Sequence, residues 1–211
     1  MKKLIILTII SISALLAVLC FTVFKNFIKA RFYIQHMETD DRVGDMNIDR
    51  IIAALEINPG DSVADIGAGS GLFSRKFASA VAQSGKVYAV DINSELLEHI
   101  DNTSIKSGIH NIQTVLAGEK DPKLPEKVNL IFICDVLHYI DDQEKYINTA
   151  SGYLNAHGRI AIISFKENWP PMANKFNEDD VAIWMKKSGL DLMSTEHFIK
   201  DHYLVIYKKK K

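Results

Sequence analysis

Two rhythms of apolar and polar residues divide the chain. From Leu4 to Phe24 no side chain is charged, and only Thr8, Ser11, Ser13 and Thr22 are polar. A helix of that length, rising about 1.5 Å per residue, crosses the roughly 30 Å hydrocarbon core of a bilayer. The run is longer than the apolar part of a secretion signal, and no small-x-small cleavage site closes it. It therefore reads as a retained single-span anchor over residues 1–24, with a cleaved signal peptide as the competing reading. A lipoprotein site would need a small residue before Cys20, where Leu19 stands. Lys2 and Lys3 flank one end and Lys25, Lys29 and Arg31 the other, so charge does not decide orientation. Residues 25–46 mix charges with little periodicity and read as a juxtamembrane linker.

The second rhythm starts at Asn47. Ile48, Ile51, Ile52 and Leu55 recur at helical spacing and predict a helix from Asn47 to Glu56. Asn58-Pro59-Gly60-Asp61 is a turn. Short apolar runs then alternate with amphipathic ones. Strands are predicted at Ser62–Ile66, Lys86–Val90, Ile112–Leu116, Val128–Cys134 and Arg159–Phe165. Helices are predicted at Leu72–Gln83, Ser94–Ser107 and Gln143–Leu154. Such alternation means βαβ units and a parallel sheet, an α/β fold. Val128–Cys134 is nearly all apolar, as a strand buried on both faces at the sheet centre would be. Asn177-Glu178-Asp179-Asp180 caps a helix that stops near Gly189. Leu190–Ile199 and His202–Tyr207, joined by Lys200-Asp201, predict a closing antiparallel hairpin. Residues 47–211 thus form one domain.

Composition changes this picture little. The 211 residues carry a net charge of −1, which gives no bulk attraction to nucleic acid. The terminal run Lys208 to Lys211 is a solubilising end or, beside an anchor, a contact for anionic lipid headgroups. The two cysteines, Cys20 and Cys134, form neither a disulfide framework nor a metal-ligand spacing, and no metal site is expected.

The chemistry concentrates in Asp65-Ile66-Gly67-Ala68-Gly69-Ser70-Gly71-Leu72. A glycine loop between a strand and a helix lets the backbone approach a ligand closely. Asp91 ends the next apolar run, where a carboxylate can accept hydrogen bonds from both hydroxyls of a ribose. Alone, it would read as a surface acid. A dinucleotide loop would need Gly or Ala where Leu72 stands, which disfavours an NAD-linked oxidoreductase. No lysine follows the glycines, so this is not a P-loop.

Asp65–Gly71, Val87–Asp91, Cys134-Asp135-Val136-Leu137-His138 and Asn155-Ala156-His157-Gly158-Arg159 resemble the successive motifs of class I S-adenosylmethionine-dependent methyltransferases. The resemblance covers Asn47 to Tyr207 and is closest to the group that includes the ubiquinone/menaquinone C-methyltransferases. It implies a Rossmann-like methyltransferase fold, a seven-stranded, mostly parallel sheet whose last strand is antiparallel. It also implies S-adenosylmethionine as cofactor. Gly67, Ala68, Gly69 and Gly71 would wrap its methionine part, with Asp65 supporting the loop. Asp91 would bind the ribose, Ile92 would pack on the adenine, and Glu119 corresponds to the acid that meets the adenine amine. Asp135 would face the cofactor.

His138 and Tyr139 follow the central strand and should face the crevice at the carboxyl ends of the strands. His138 is the candidate general base, set against a packing or capping role. Trp169-Pro170-Pro171 is a candidate wall of the acceptor pocket, set against a rigid loop. The Asn-Pro-Pro-Tyr sequence of amino-group methylation on bases and glutamines is absent after the central strand. The expected activity is methyl transfer to a small acceptor, lipophilic if the anchor sets its source. The cofactor is made in the cytosol, so the domain is expected on the cytoplasmic side. The alternative is a cofactor-binding sensor or scaffold without turnover.

Overall fold

The computed structural model describes residues 34–35, 37–39, 44–166 and 176–210. The anchor run, most of the linker and Trp169-Pro170-Pro171 lie outside the described residues. Among the described residues no helix is long and apolar enough to cross a membrane.

The elements in chain order are α1 (Ile48–Ala54), β1 (Ser62–Ile66), α2 (Leu72–Ala80), β2 (Lys86–Asp91), α3 (Ser94–Lys106), β3 (Ile112–Leu116) and β4 (Val128–Cys134). A 3₁₀ turn (Leu137–Tyr139), α4 (Gln143–Ser151), β5 (Leu154–Phe165), α5 (Glu178–Lys187), β6 (Leu190–Glu196) and β7 (His202–Lys209) follow. The strands form one seven-stranded sheet in the order β3-β2-β1-β4-β5-β7-β6. All neighbours pair in parallel except β7, which is antiparallel to both β5 and β6.

The all-apolar run Val128–Cys134 takes the central place, between β1 and β5. Its residues alternate between two cores. Ile131 and Ile133 meet Tyr146, Ile147 and Ala150 of α4 and Val181 and Met185 of α5. Leu130 and Phe132 meet Ile48 and Ile51 of α1 and Phe77 and Ala78 of α2. Leu97 and Ile100 of α3 pack on Ala89 of β2. Helices therefore cover both faces, which is why the inner strands lack polar alternation.

Side-chain caps define the starts of α3, α4 and α5. Asn93 accepts from the amides of Glu95 and Leu96 at α3, and Asp142 from that of Lys145 at α4. Asn177 and Asp180 form a reciprocal capping box at α5.

Several boundaries differ from the sequence expectation: α2 stops at Ala80, not Gln83, and two other differences reshape the sheet. Leu154 belongs to β5, not to α4. It pairs with Val128, and the register then jumps so that Leu130 faces Arg159. Asn155–Gly158 bulges out at this step. The hairpin connection is also longer than Lys200-Asp201, because β6 ends at Glu196 and contains its own bulge between Leu192 and Ser194. Lys166 stabilises that connection by donating from Nζ to the carbonyls of His197, Ile199 and Lys200 at 3.3, 2.8 and 3.0 Å.

Candidate active site

The parallel strands end along one edge of the sheet, and a cavity of about 1400 Å³ opens there. Single-ligand sites commonly enclose about 300–1,000 Å³, so this space suits two ligands side by side. Asp65, Gly67, Ala68, Gly69, Asp91, Ile92, Glu119, Asp135 and His138 all line it. Gly71 is not on that wall; it sits behind the loop as the N-cap of α2, against Ile100.

One half of the cavity is built from backbone. Gly67, Gly69 and Gly71 have φ of 73°, 55° and 78°, in the left-handed region that costs other residues about 1–2 kcal/mol. The amides of Gly67 and Ala68 donate to the carbonyl of Val90 at 2.7 and 3.0 Å, tying the loop to the end of β2. The Gly69 amide donates to Asp91 Oδ2 at 3.0 Å and the Asn93 amide to Oδ1 at 2.9 Å. Asp91 thus shapes the glycine loop as well as facing the cavity, a role its sequence position does not reveal. A carboxylate has about four lone-pair sites, so both oxygens can still accept from a ligand's hydroxyls. Ile92 beside it is 67 % exposed, an apolar side chain left open for a flat apolar partner. Glu119 stands exposed on the rim. Each feature fits the adenosyl part of S-adenosylmethionine.

Asp65 lies beneath this half and is buried. Ser74 of α2 donates to its Oδ2 at 2.5 Å. Burial pushes its carboxyl up to about 7, the Asp91 charge adds to the rise, and the Ser74 bond opposes it. Burial also raises Asp91, against the pull of its backbone donors. A segment ahead of the domain covers the loop: a Cβ on Gly69 would stand 2.6 Å from Met37 Sδ. Glu38 in that segment pairs with Arg75 Nη2 at 2.5 Å, and Arg75 Nη1 donates to the Ser70 carbonyl at 2.9 Å.

The other half is built from side chains of distant strands. Asp135 follows β4 with φ 55°, a left-handed conformation on a non-glycine residue. This turn packs Val136 against Gly67, where a Cβ would stand 2.1 Å from Val136 Cγ2. His138 stacks between Tyr139 and Phe165, with ring centroids 4.0 and 5.9 Å away. Both of its ring nitrogens are buried without a hydrogen-bond partner among the described residues. Burial lowers its pKa, with the Asp135 charge opposing. His202, the first residue of β7, packs on Phe165 at 4.3 Å and brings Nε2 to 3.2 Å from Asp135 Oδ1.

His202, Phe165, Tyr146 and Met37 also line the cavity but were not among the sequence candidates. For His202 a signal existed. An antiparallel strand inserted beside parallel ones begins at the edge where its neighbours end, so its first residue joins the ligand edge.

This arrangement defines a nucleoside-cofactor site on a doubly wound sheet with an inserted antiparallel strand, the class I methyltransferase architecture. The sequence profile of the family described as "Methyltransferase domain" matches residues 57–207, and the chain belongs to that family, the S-adenosylmethionine-dependent class I methyltransferases. It is 30 % identical over 130 residues to the ubiquinone/menaquinone biosynthesis C-methyltransferase UbiE of Francisella tularensis subsp. novicida (strain U112), covering 61 % of this chain and 52 % of the relative. The chain therefore spans about half the length of the curated relatives it matches. A SAM-dependent methyltransferase from Aquifex aeolicus superposes with a TM-score of 0.75 at 20 % identity, over 83 % of this chain and 96 % of that one. Magnesium protoporphyrin IX methyltransferase (ChlM) from Synechocystis PCC 6803, solved with bound SAH, gives 0.66 at 17 % identity over 80 % and 85 %. These two likenesses concern the fold.

Proposed function

We propose that the chain transfers a methyl group from S-adenosylmethionine to a small lipophilic acceptor, and that residues 1–24 hold it at a membrane with the catalytic domain on the cytoplasmic side. The observation that carries the reading is the glycine loop tied by the Gly69 amide to Asp91, opening onto a cavity with room for a second ligand. S-adenosylmethionine supplies an electrophilic methyl group on a sulfonium that is already a good leaving group. Gly67, Ala68 and Gly69 would hold its methionine part, Asp91 its ribose and Ile92 its adenine. The residues around His138 would exclude water and align the acceptor, and alignment alone can supply much of the rate. Tyr139, Phe165 and Ile140 give that side aromatic and apolar character. Likeness to UbiE at low identity favours a quinone-related ring as acceptor. An anchored domain would meet such a molecule at raised local concentration.

The test has two stages. Calorimetry on the full chain should detect S-adenosylhomocysteine binding, and Asp91→Ala should weaken it by about tenfold or more. Methyl-labelled S-adenosylmethionine incubated with a membrane lipid extract should then yield label that partitions into organic solvent. Binding without labelled product from any extract would favour the scaffold reading instead. Protease protection in intact cells should leave the domain shielded; a domain digested from outside would overturn the proposed topology.

A further inference from the structure

We propose that His202 is the general base that takes the proton from a hydroxyl of the methyl acceptor, and that Asp135 is its positioning residue. The inference rests on the methyltransferase reading above and assigns the chemistry of its second subsite.

Convergence is the first argument. Asp135 follows β4, Phe165 ends β5 and His202 begins β7, so three adjacent strands bring these side chains to the cavity wall. Phe165 and His202 are directly paired in the antiparallel register. The imidazole lies against the Phe165 ring with centroids 4.3 Å apart and an interplanar angle of 37°. On its other side Nε2 faces Asp135 Oδ1 at 3.2 Å. The ring is therefore held by an aromatic face and a carboxylate, the arrangement that orients a catalytic histidine. The contact is close but not an aligned hydrogen bond, and catalytic pairs of this kind commonly tighten when the ligand binds.

Strain is the second. Asp135 holds its carboxylate in place from a left-handed backbone that a non-glycine residue adopts only at a cost. Its amide is fixed to the Ile163 carbonyl at 3.1 Å. The side chains of His202 and Asp135 also keep 13 % and 12 % exposure, so the pair borders the cavity instead of being sealed in the core.

Comparison with His138 is the third. Both nitrogens of that ring are buried without a hydrogen-bond partner among the described residues, whereas at His202 only Nε2 is, and burial disfavours the charged form of His138. It suits contact with a neutral ligand group better than it suits taking a proton. The remaining wall, with Tyr139 66 % exposed and Phe165 beside it, suits a flat ring that stacks.

The step balances as follows. The acceptor's O–H bond breaks and its proton goes to His202 Nδ1, while the Asp135 carboxylate faces Nε2. The electron pair left on the acceptor forms the bond to the methyl carbon, at oxygen or at the ring carbon to which that pair delocalises. The C–S pair stays on sulfur. For transfer to carbon, the ring proton displaced there passes to water as the ring regains aromaticity, and the acceptor oxygen takes a proton back from water. The imidazolium returns its proton to water.

The test uses the full chain, S-adenosylmethionine and 1,4-dihydroxynaphthalene as probe, with S-adenosylhomocysteine formation measured by mass spectrometry. His202→Asn should lower kcat by about 100-fold or more, the ordinary size of general-base catalysis. Its affinity for S-adenosylhomocysteine and its KM for the probe should stay within about threefold, which also shows that the variant folds. Asp135→Asn should lower kcat by about 10-fold or more with the same unchanged binding. Adding it to His202→Asn should cost nothing further, because the two act as a unit. A His202→Asn variant within about threefold of the parent, or losses at the two positions that multiply, would overturn the assignment. So would a larger kcat loss in His138→Asn. A parent chain that binds S-adenosylhomocysteine but leaves the probe unchanged overturns the hydroxyl acceptor. A parent chain that does not bind S-adenosylhomocysteine overturns the methyltransferase reading beneath it.

Discussion

The two halves of the cavity are made by different means. Around Asp91 the wall is mostly backbone: left-handed glycines, amides tied to Val90 and Asp91, and the start of a helix. Around Asp135 the wall is side chain: a carboxylate, two imidazoles and two aromatic rings from elements up to 67 positions apart, counting Asp135 to His202. A backbone site demands particular residues at particular spacings, because only glycine tolerates the conformation. A side-chain site demands only that strands meet, and many residue types can then occupy it. The first kind of site binds one constant ligand, whereas the second can change with the acceptor.

The point where the halves touch offers the strongest way to break this division. Gly67 and Val136 belong to opposite walls, and a Cβ at Gly67 would overlap Val136 Cγ2 at 2.1 Å. Gly67→Ala should cost about 1–2 kcal/mol for the left-handed backbone and about 1–3 kcal/mol for overpacking. The urea midpoint should fall accordingly and cofactor affinity should drop with it. Adding Val136→Ala should recover the packing part alone. If Gly67→Ala matches the parent in both readouts, the walls are not held in this contact and the halves move independently.

Asp91→Asn is the next largest change and should be confined to one half. Asparagine keeps an oxygen for the Gly69 amide but loses the charge that strengthens hydrogen bonds to a ribose. Affinity for S-adenosylhomocysteine should fall by about 10- to 100-fold, the size of a charged hydrogen bond or two. Stability should fall by about 1–3 kcal/mol, because the second oxygen becomes an NH2 and the Asn93 amide loses its acceptor. A variant that binds normally but loses kcat would place Asp91 on the acceptor side and dissolve the division.

Legibility in the sequence follows the same line. The strand–loop–helix pattern from Ser62 to Ala80 and the acid at Asp91 could be read directly, because glycine spacing and apolar runs are local. The central place of β4 was also legible from its unbroken apolar run. That His138 lines the cavity was legible because it follows that strand closely. His202 was read only as a strand start, since nothing local marks a histidine that becomes functional through pairing with Phe165. The β5 boundary failed for a related reason: Asn155–Gly158 looks like a loop, and only the partner strand shows that Leu154 already pairs.

Asp65 gives a pH-dependent comparison of smaller size. Unfolded, it loses its proton near 3.8; folded, it keeps it until about 7, chiefly through burial. Between those values the folded state holds more protons, so this group's contribution to stability falls as pH rises through the window. Asp65→Asn should remove this group's part of the slope and leave the part from Asp91, whose carboxyl burial also raises, checked by urea midpoints at about pH 5 and about pH 8. S-adenosylmethionine is cationic at sulfur and favours the ionised carboxylate, so its binding should tighten as pH rises through the same window. Burial lowers the pKa of pocket-side His138 as well, so the variant, not the parent alone, decides the assignment. A slope unchanged by Asp65→Asn would assign it to another group.

Lys166 should give the mildest effect and the sharpest separation. Its Nζ donates to three carbonyls of the turn between β6 and β7, and its amide donates to the Asp201 carbonyl at 3.0 Å. Together these bonds set where β7 begins and so where the His202 ring stands. Lys166→Met keeps most of the aliphatic stem and the backbone bond but leaves three carbonyls to water. Because that turn is largely exposed, water can replace the lost donors and stability should fall by only about 1 kcal/mol. The cofactor half is not attached to this turn, so S-adenosylhomocysteine affinity should hold. Turnover should fall by about 3- to 10-fold, since small displacements of a catalytic group are costly. The readout is the ratio of the two: a loss of affinity equal to the loss of turnover would mean that the acceptor half cannot loosen without the cofactor half, and that the cavity behaves as one rigid site.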